Sequence, residues 1–364
     1  MRTPIIALAI AAFAIGTTEF VIIGLLPDVA TDLEVSLASA GFLVTGYALG
    51  VAVGAPVIAV LTKSWPTRAS LLSLMAVFVA GNVVSACAPT YGILLGGRVL
   101  ASFAHGSFFG RGAVVASSLV PPSKRAVAIS LMFTGLTLAN VLGVPLGTLV
   151  GHVFGWRATF WCVAGFGTIA LVAVAALVPS VATPAEGGWG GLANRRVGIA
   201  LLLTTFGFGG TFVAFTFITP MLASALDLSP TAITIVLFLF GIGVTLGNAL
   251  GGHLATHLGR VLAALAIIEL VLALVLPIAI VGELFVVLWG VAAFATVPVL
   301  QLRVVEAARE APTIASTLNI AAFNIGNAGG AALGAILVAH EVPLRALPVA
   351  SAVIAAIALG LSAI

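Results

Sequence analysis

Charge is what this sequence most lacks. Of its 364 residues, 7% are Asp, Glu, Lys or Arg and 62% are hydrophobic, whereas ordinary soluble domains carry roughly 25% charged residues. A water-solvated chain of this length needs far more charge to cover its surface. A soluble monomer is therefore excluded, and the outer surface is solvated by lipid. Cysteine is nearly absent too. Cys87 and Cys162 both lie in apolar stretches, with neither metal-ligand spacing nor a disulfide framework, and they are expected as buried thiols. There is no Walker loop, no His-Glu zinc signature and no nucleophile elbow, so ATP-driven and hydrolytic chemistry find no residues to carry them. The expectation is a non-enzyme without metal or cofactor. The net charge of +3 comes from 14 Lys and Arg scattered through short loops. They make no basic patch, which argues against a nucleic-acid partner.

What is abundant is apolar sequence in lengths that cross a bilayer, about 20 residues each. Cutting at charge and proline clusters gives segments 5–26, 39–62, 69–88, 91–116, 126–151 and 158–179, then 197–220, 232–253, 260–281, 283–305, 313–338 and 346–364. The first is too long for the apolar region of a signal peptide and carries Glu19, so it reads as an uncleaved helix. The polar stretch between the sets holds Pro184, Glu186, Gly187, Gly188, Arg195 and Arg196 and reads as a linker. The predicted architecture is all-α: twelve transmembrane helices in two six-helix halves, residues 1–180 and 197–364, joined by 181–196. With the N-terminus inside, the inner loops collect Arg2, Lys63, Arg68, Lys124, Arg125, Arg195, Arg196, Arg260, Arg303 and Arg309, leaving Arg157 and Arg345 outside. That bias places both termini in the cytoplasm.

A repeat runs through the segments. Gly46, Gly50 and Gly54 lie in the second, Gly143, Gly147 and Gly151 in the fifth, Gly243, Gly247 and Gly251 in the eighth, and Gly326, Gly330 and Gly334 in the eleventh. Each is a doubled G-x-x-x-G, a smooth helix face that another backbone can approach closely. Recurrence at every third helix points to nested three-helix repeats, a transporter architecture whose substrate site lies near the midplane.

Several ionisable residues stand inside spans, Glu19, Arg98, His105, Arg111 and Glu269 among them. A charge at a helix centre costs about 2.5–3.5 kcal/mol on insertion scales, so such residues are functional candidates by default. Glu19 lies about eight residues in from the outer end of the first segment and Arg98 about seven in from that of the fourth, so at 1.5 Å per residue their depths match and permit a pair. Glu19 is the candidate proton-coupling acid. Arg98, Ser102, His105 and Phe109 share one helical face, and His105 reads as hydrogen-bonded packing more readily than as a relay. Glu269, on the ninth segment, is expected as a structural partner at a helix interface.

Several runs belong together: Gly16-Thr-Thr-Glu-Phe-Val-Ile-Ile-Gly-Leu-Leu-Pro27, Gly46-Tyr-Ala-Leu-Gly50 with Gly54-Ala-Pro56, Gly97-Arg98 through His105-Gly106, Gly143-Val-Pro145-Leu-Gly147-Thr148 and Gly155-Trp-Arg-Ala-Thr-Phe160. With these runs the chain resembles the major facilitator superfamily, specifically its twelve-helix drug:proton antiporters of the bacterial sugar-efflux and chloramphenicol-resistance type. The resemblance implies a monomeric exporter of the bacterial plasma membrane that exchanges protons for a small neutral or amphipathic molecule such as a drug or sugar. It implies that helices 1, 4, 7 and 10 line a central cavity, making Phe20, Ser102, His105, Phe208, Phe212, Phe215, Trp289 and Gln301 the substrate candidates. Helices 2, 5, 8 and 11 would form the seam between halves, with Gly143 and Pro145 in an antiport motif, and Arg98 would take part in proton coupling. The inner-gate loops depart from the family pattern. Lys63 and Arg68 stand in a loop without the usual Asp and Gly, and the second copy keeps Gly252, Gly259 and Arg260 but has Thr256 for Asp. A passive facilitator and a non-transporting receptor are the alternatives from other classes.

Overall fold

A computed structural model of the chain describes residues 3–62, 64–121, 124–180, 194–254, 257–308 and 312–363. Among these there is no strand. Helix is what lipid demands, because backbone groups in the bilayer core must be bonded within their own segment. The helices are α1 (Thr3–Asp32), α2 (Leu37–Leu61), α3 (Thr67–Ala86), α4 (Tyr91–Ser118), α5 (Arg125–Leu138, continued by Val144–Phe154) and α6 (Trp156–Leu177). They are followed by α7 (Arg195–Gly207, resumed at Phe212–Phe215 and Ile218–Leu226), α8 (Pro230–His253), α9 (Leu258–Val275), α10 (Ala279–Ala307), α11 (Pro312–Ala339) and α12 (Leu347–Leu361).

Eleven of these pass by length and composition as membrane spans among the described residues. The exception to the expected twelve is α4, long enough at 28 residues but interrupted by Arg98, His105 and Arg111. Its polar side chains Arg98, Ser102, His105 and Ser107 are buried, so they face protein instead of lipid.

The chain packs as two compact units, one of residues 3–22 and 49–180 and the other of residues 23–48 and 194–363. In the first, α3 packs along α4 and α6; in the second, α8 runs along α10 while α9 packs on α10 and α12. The stretch 23–48 packs with the second unit: a Cβ on Gly41 would press on the ring of Phe217 in α7, and Thr45 Oγ1 lies 3.5 Å from the Ala328 carbonyl of α11. Residues 181–193 of the expected linker lie outside the described residues. Arg195 and Arg196 already belong to α7, whose start is capped by the Asn194 side chain accepting from Arg196 N–H at 2.9 Å.

Two helices are irregular for reasons in their sequence. In α5 a widened π-type turn covers Ala139–Gly143, immediately before Pro145. Proline cannot donate to the preceding turn, and the extra residue absorbs the mismatch. In α7 the helix breaks at Phe208, passes through a 3₁₀ turn at Gly209–Thr211 and kinks again at Thr216–Phe217. Gly207, Gly209 and Gly210 weaken the helix there.

The glycine faces have identifiable neighbours within each half. On α2, Gly50 meets Ser102 and Gly54 meets Phe103 of α4; on α5, Gly143 meets Thr17 and Gly147 meets Val21 of α1. On α8, Gly243, Gly247 and Gly251 lie against Val287, Val291 and Ala295 of α10, and on α11, Gly326, Gly330 and Gly334 lie against Thr205, Gly209 and Val213 of α7. A glycine stripe requires only a close backbone, and the helices that come closest here are α4, α1, α10 and α7. The cysteines correct one expectation: both thiols are free and exposed on the bundle surface. An apolar segment in lipid has an outside as apolar as its inside, so composition could not bury them.

A Cβ on Gly243 would lie 2.6 Å from the Val287 carbonyl oxygen, and one on Gly247 would press on the Val291 carbonyl, whereas one on Gly96 meets nothing within 4 Å. Gly243→Ala and Gly247→Ala are each expected to cost about 1–3 kcal/mol by overpacking. Thermal unfolding in detergent should show a lowered Tm for both and an unchanged Tm for Gly96→Ala; equal Tm values for all three would contradict the packing.

Candidate functional site

In the first unit the polar residues of α1, α3 and α4 converge. Arg98, 1% exposed, reaches across from α4 and donates through Nη1 to the Thr18 carbonyl and through Nη2 to the Glu19 carbonyl at 3.3 Å. The guanidinium is thus anchored on the α1 backbone at the residue that carries the acid, and its charge acts on the Glu19 carboxyl through space. About two turns further along α4, His105 Nδ1 stands 3.8 Å from Glu19 Oε2, with the two side chains 8% and 12% exposed. That is ion-pair range and too long for a direct hydrogen bond. The His105 ring leans on Phe109 at 5.2 Å between centroids. Beside Glu19, Thr18 Oγ1 donates to Asn82 Oδ1 of α3, and Asn82 Nδ2 donates to the Phe78 carbonyl at 2.9 Å.

The expected Glu19–Arg98 proximity therefore holds, but it runs through the main chain of α1, and His105 joins the acid where sequence favoured plain packing. Asn82 was missed; the one amide in α3, buried among Phe78, Leu74 and Met75, was the available signal. Ser102, a cavity candidate, lies against Gly50 and donates to the Val99 carbonyl at 2.7 Å. Phe20 is buried in α1.

In the second unit, Phe208, Phe212 and Phe215 form a continuous aromatic cluster with Phe240, Trp289, Phe294 and Phe323, with centroids 5.0–6.1 Å apart and mostly edge-to-face. All three α7 phenylalanines and Trp289 are buried. Trp289 donates through Nε1 to Glu269 Oε1 at 3.0 Å, and Thr211 Oγ1 donates to the same oxygen at 3.1 Å. Gln301 is occupied between helices: it donates to Ser316 Oγ at 2.8 Å and accepts from Asn319 Nδ2 at 2.7 Å, tying α10 to α11. It forms a bracket between the two helices.

Among the inner-gate residues, Lys63 lies outside the described residues. Arg68 donates to the Ala175 carbonyl and tethers α3 to α6. Arg111 donates to Thr62 Oγ1 at 2.6 Å, joining α4 to the C-terminal end of α2. Arg260 is exposed at the start of α9, and Gly252 and Gly259 have open space or a distant side chain around them.

A bundle of apolar helices with an acid, a guanidinium and an imidazole enclosed in it defines a multi-pass membrane transporter. The chain matches the Major Facilitator Superfamily over residues 8–331 and belongs to that family; it is not an enzyme. It is 43% identical to the inner membrane transport protein YdhP of Escherichia coli K12, over 98% of this chain and 94% of that one. It is 35% identical to a chloramphenicol resistance protein of Streptomyces lividans over 93% and 90% of the two chains. It is 30% identical to a probable sugar efflux transporter of Helicobacter pylori J99 over 93% and 88%. Its fold is similar to the crystal structure of a D-xylose-proton symporter, with a TM-score of 0.78 at 15% identity over 97% of each chain.

Gln301→Leu leaves the Ser316 hydroxyl and the buried Asn319 amide without their partner, which is expected to cost about 1–3 kcal/mol. Thermal unfolding should show a destabilised single variant and partial recovery in Gln301→Leu with Asn319→Leu, because removing both partners removes the unmet group. A single variant as stable as the wild type would contradict the bracket.

Proposed function

We propose that the protein is a proton-driven exporter of small neutral or amphipathic organic molecules, and that Glu19 carries the coupled proton. The observation that carries the reading is the placement of Glu19: a nearly enclosed carboxyl, 3.8 Å from His105 Nδ1, on a stretch of α1 whose own carbonyls hold the Arg98 guanidinium. A carboxylate in that place is favoured by Arg98, whereas a protonated Glu19 relaxes its hold on the guanidinium. Loading a proton thus changes how tightly α1 and α4 are drawn together. Such a change in helix attraction is a means by which one proton shifts a conformational equilibrium. Each proton moving down 100 mV supplies about 2.3 kcal/mol.

The direction of transport and the substrate class rest on likeness: relatives named for chloramphenicol resistance and sugar efflux align over most of this chain. The scarcity of charge inside the spans fits an uncharged substrate. The Lys and Arg bias supports cytoplasmic termini, and the name of the Escherichia coli relative supports the inner membrane. We take the two repeat halves, 1–180 and 197–364, as the moving bodies, the stretch 181–196 as their cytoplasmic linker, and the monomer as the working unit.

In inside-out vesicles with chloramphenicol as the probe, and a panel of sugars beside it, wild-type protein is expected to accumulate a substrate only when a proton gradient is imposed. Glu19→Gln, folded to the wild-type Tm, should lose that accumulation. Equal accumulation by both proteins would remove Glu19 from the coupling, and accumulation indifferent to the gradient would replace the antiporter by a facilitator.

A further inference from the structure

Glu269 stands outside the machinery just described. It lies on α9, eleven residues beyond Leu258, close to mid-membrane at 1.5 Å per residue. It is 0% exposed. Both of its neighbouring donors, the Trp289 indole and the Thr211 hydroxyl, converge on Oε1, and Oε2 has no hydrogen-bond partner. The donors are neutral. Among the described residues no cation faces it. The nearest charge on α9 is Arg260; those of α10 are Glu283, Arg303 and Glu306, six or more residues from Trp289; α7 carries Arg195 and Arg196 at its start and Asp227 after its end; and α12 carries none. The contrast with Glu19 is direct, since that acid has Arg98 and His105 beside it.

A buried carboxylate with one oxygen unbonded by the protein and no cation beside it is the arrangement that an apolar interior penalises most. A carboxylic acid fits the same geometry without that cost. Its carbonyl oxygen, Oε1, has two lone pairs and accepts both donors, while Oε2 bears the hydrogen.

The two halves also build corresponding nodes. In the first, α1, α3 and α4 meet through Thr18, Asn82 and Arg98; in the second, α7, α9 and α10 meet through Thr211, Glu269 and Trp289. Thr211 sits in the broken stretch of α7, where Gly209 lies backbone-to-backbone against Gly326. Any rearrangement of that break moves a donor of Glu269.

From this geometry we infer that Glu269 is a second proton-binding site, loaded in this conformation and coupled through Thr211 to the broken segment of α7. The inference goes beyond the exporter reading and does not depend on Glu19, so the two can fail separately.

Infrared spectroscopy of the purified full-length protein in nanodiscs tests it without any substrate. The carboxylic-acid C=O stretch is separate from the carboxylate bands. Glu269→Gln is expected to remove one such component, and Glu19→Gln should leave that component in place. In the wild type the component should lose intensity as the buffer is taken from mildly acidic to strongly alkaline. Trp289→Phe and Thr211→Val, each deleting one hydrogen bond to the carbonyl oxygen, should move it to higher frequency; these two variants keep the test alive if Glu269→Gln does not fold. Three results would each overturn the inference: no component lost in a folded Glu269→Gln, a frequency unmoved in both donor variants, or an intensity constant across the whole range, which marks a sealed structural acid.

Discussion

The bilayer interior contains no water to solvate a charge, and the arrangement of this protein follows from that condition. Arg98 could not stay ionised in α4 without acceptors, and the acceptors it finds are the main-chain carbonyls of Thr18 and Glu19. That choice matters more than a simple side-chain pair would. A guanidinium fixed to the α1 backbone stays in place whether or not the neighbouring carboxyl is ionised, because the carbonyls do not titrate. The Glu19 side chain is then the variable member, held between a permanent cation and an imidazole at 3.8 Å. A fixed partner and a variable one are what a proton switch needs.

The same condition shapes the rest of the bundle. With lipid outside as apolar as leucine, helices gain little from burying apolar surface and are held by close packing and internal hydrogen bonds. The glycine faces supply the first. Their pairing is regular: α2 takes α4 and α5 takes α1, while α8 takes α10 and α11 takes α7. Each middle helix of a three-helix repeat receives the first helix of the companion repeat, so the two repeats within a half are locked by a reciprocal exchange. Brackets such as Ser316–Gln301–Asn319 supply the second. The helices that receive the glycine faces are also the ones that carry Glu19, Arg98, Thr211 and Trp289, so the polar nodes sit on the most tightly held elements.

Much of this was readable in the sequence because lipid imposes simple rules. Segment length gave the helices, the four glycine triplets gave the repeat, and a lone Glu and Arg in apolar runs gave the first node. What escaped was always a matter of partners. A glycine stripe announces close approach without naming the neighbour, so the partners of Gly50 and Gly247 came only with the structure. The thiols of Cys87 and Cys162 were expected inside and lie outside, because both environments are apolar. The bonding partners of Gln301 and Ser102 had no signal in the sequence. The break in α7 had a signal in Gly207, Gly209 and Gly210 that span length alone concealed. Glu269 was correctly placed at a helix interface, yet the bare oxygen that sets it apart is a fact of three-dimensional packing.

The two halves thus repeat one scaffold with different electrostatics: an acid beside a guanidinium and an imidazole in the first, an acid with neutral donors only in the second. The proposed coupling stands on the first of these. Its most direct test counts protons. In liposomes reconstituted with purified protein and a trapped pH dye, adding a transported substrate should move protons in the opposite direction through the wild type. Glu19→Gln should move none while still exchanging labelled for unlabelled substrate. Proton movement by Glu19→Gln at the wild-type ratio to substrate would contradict the assignment of the coupled proton to Glu19.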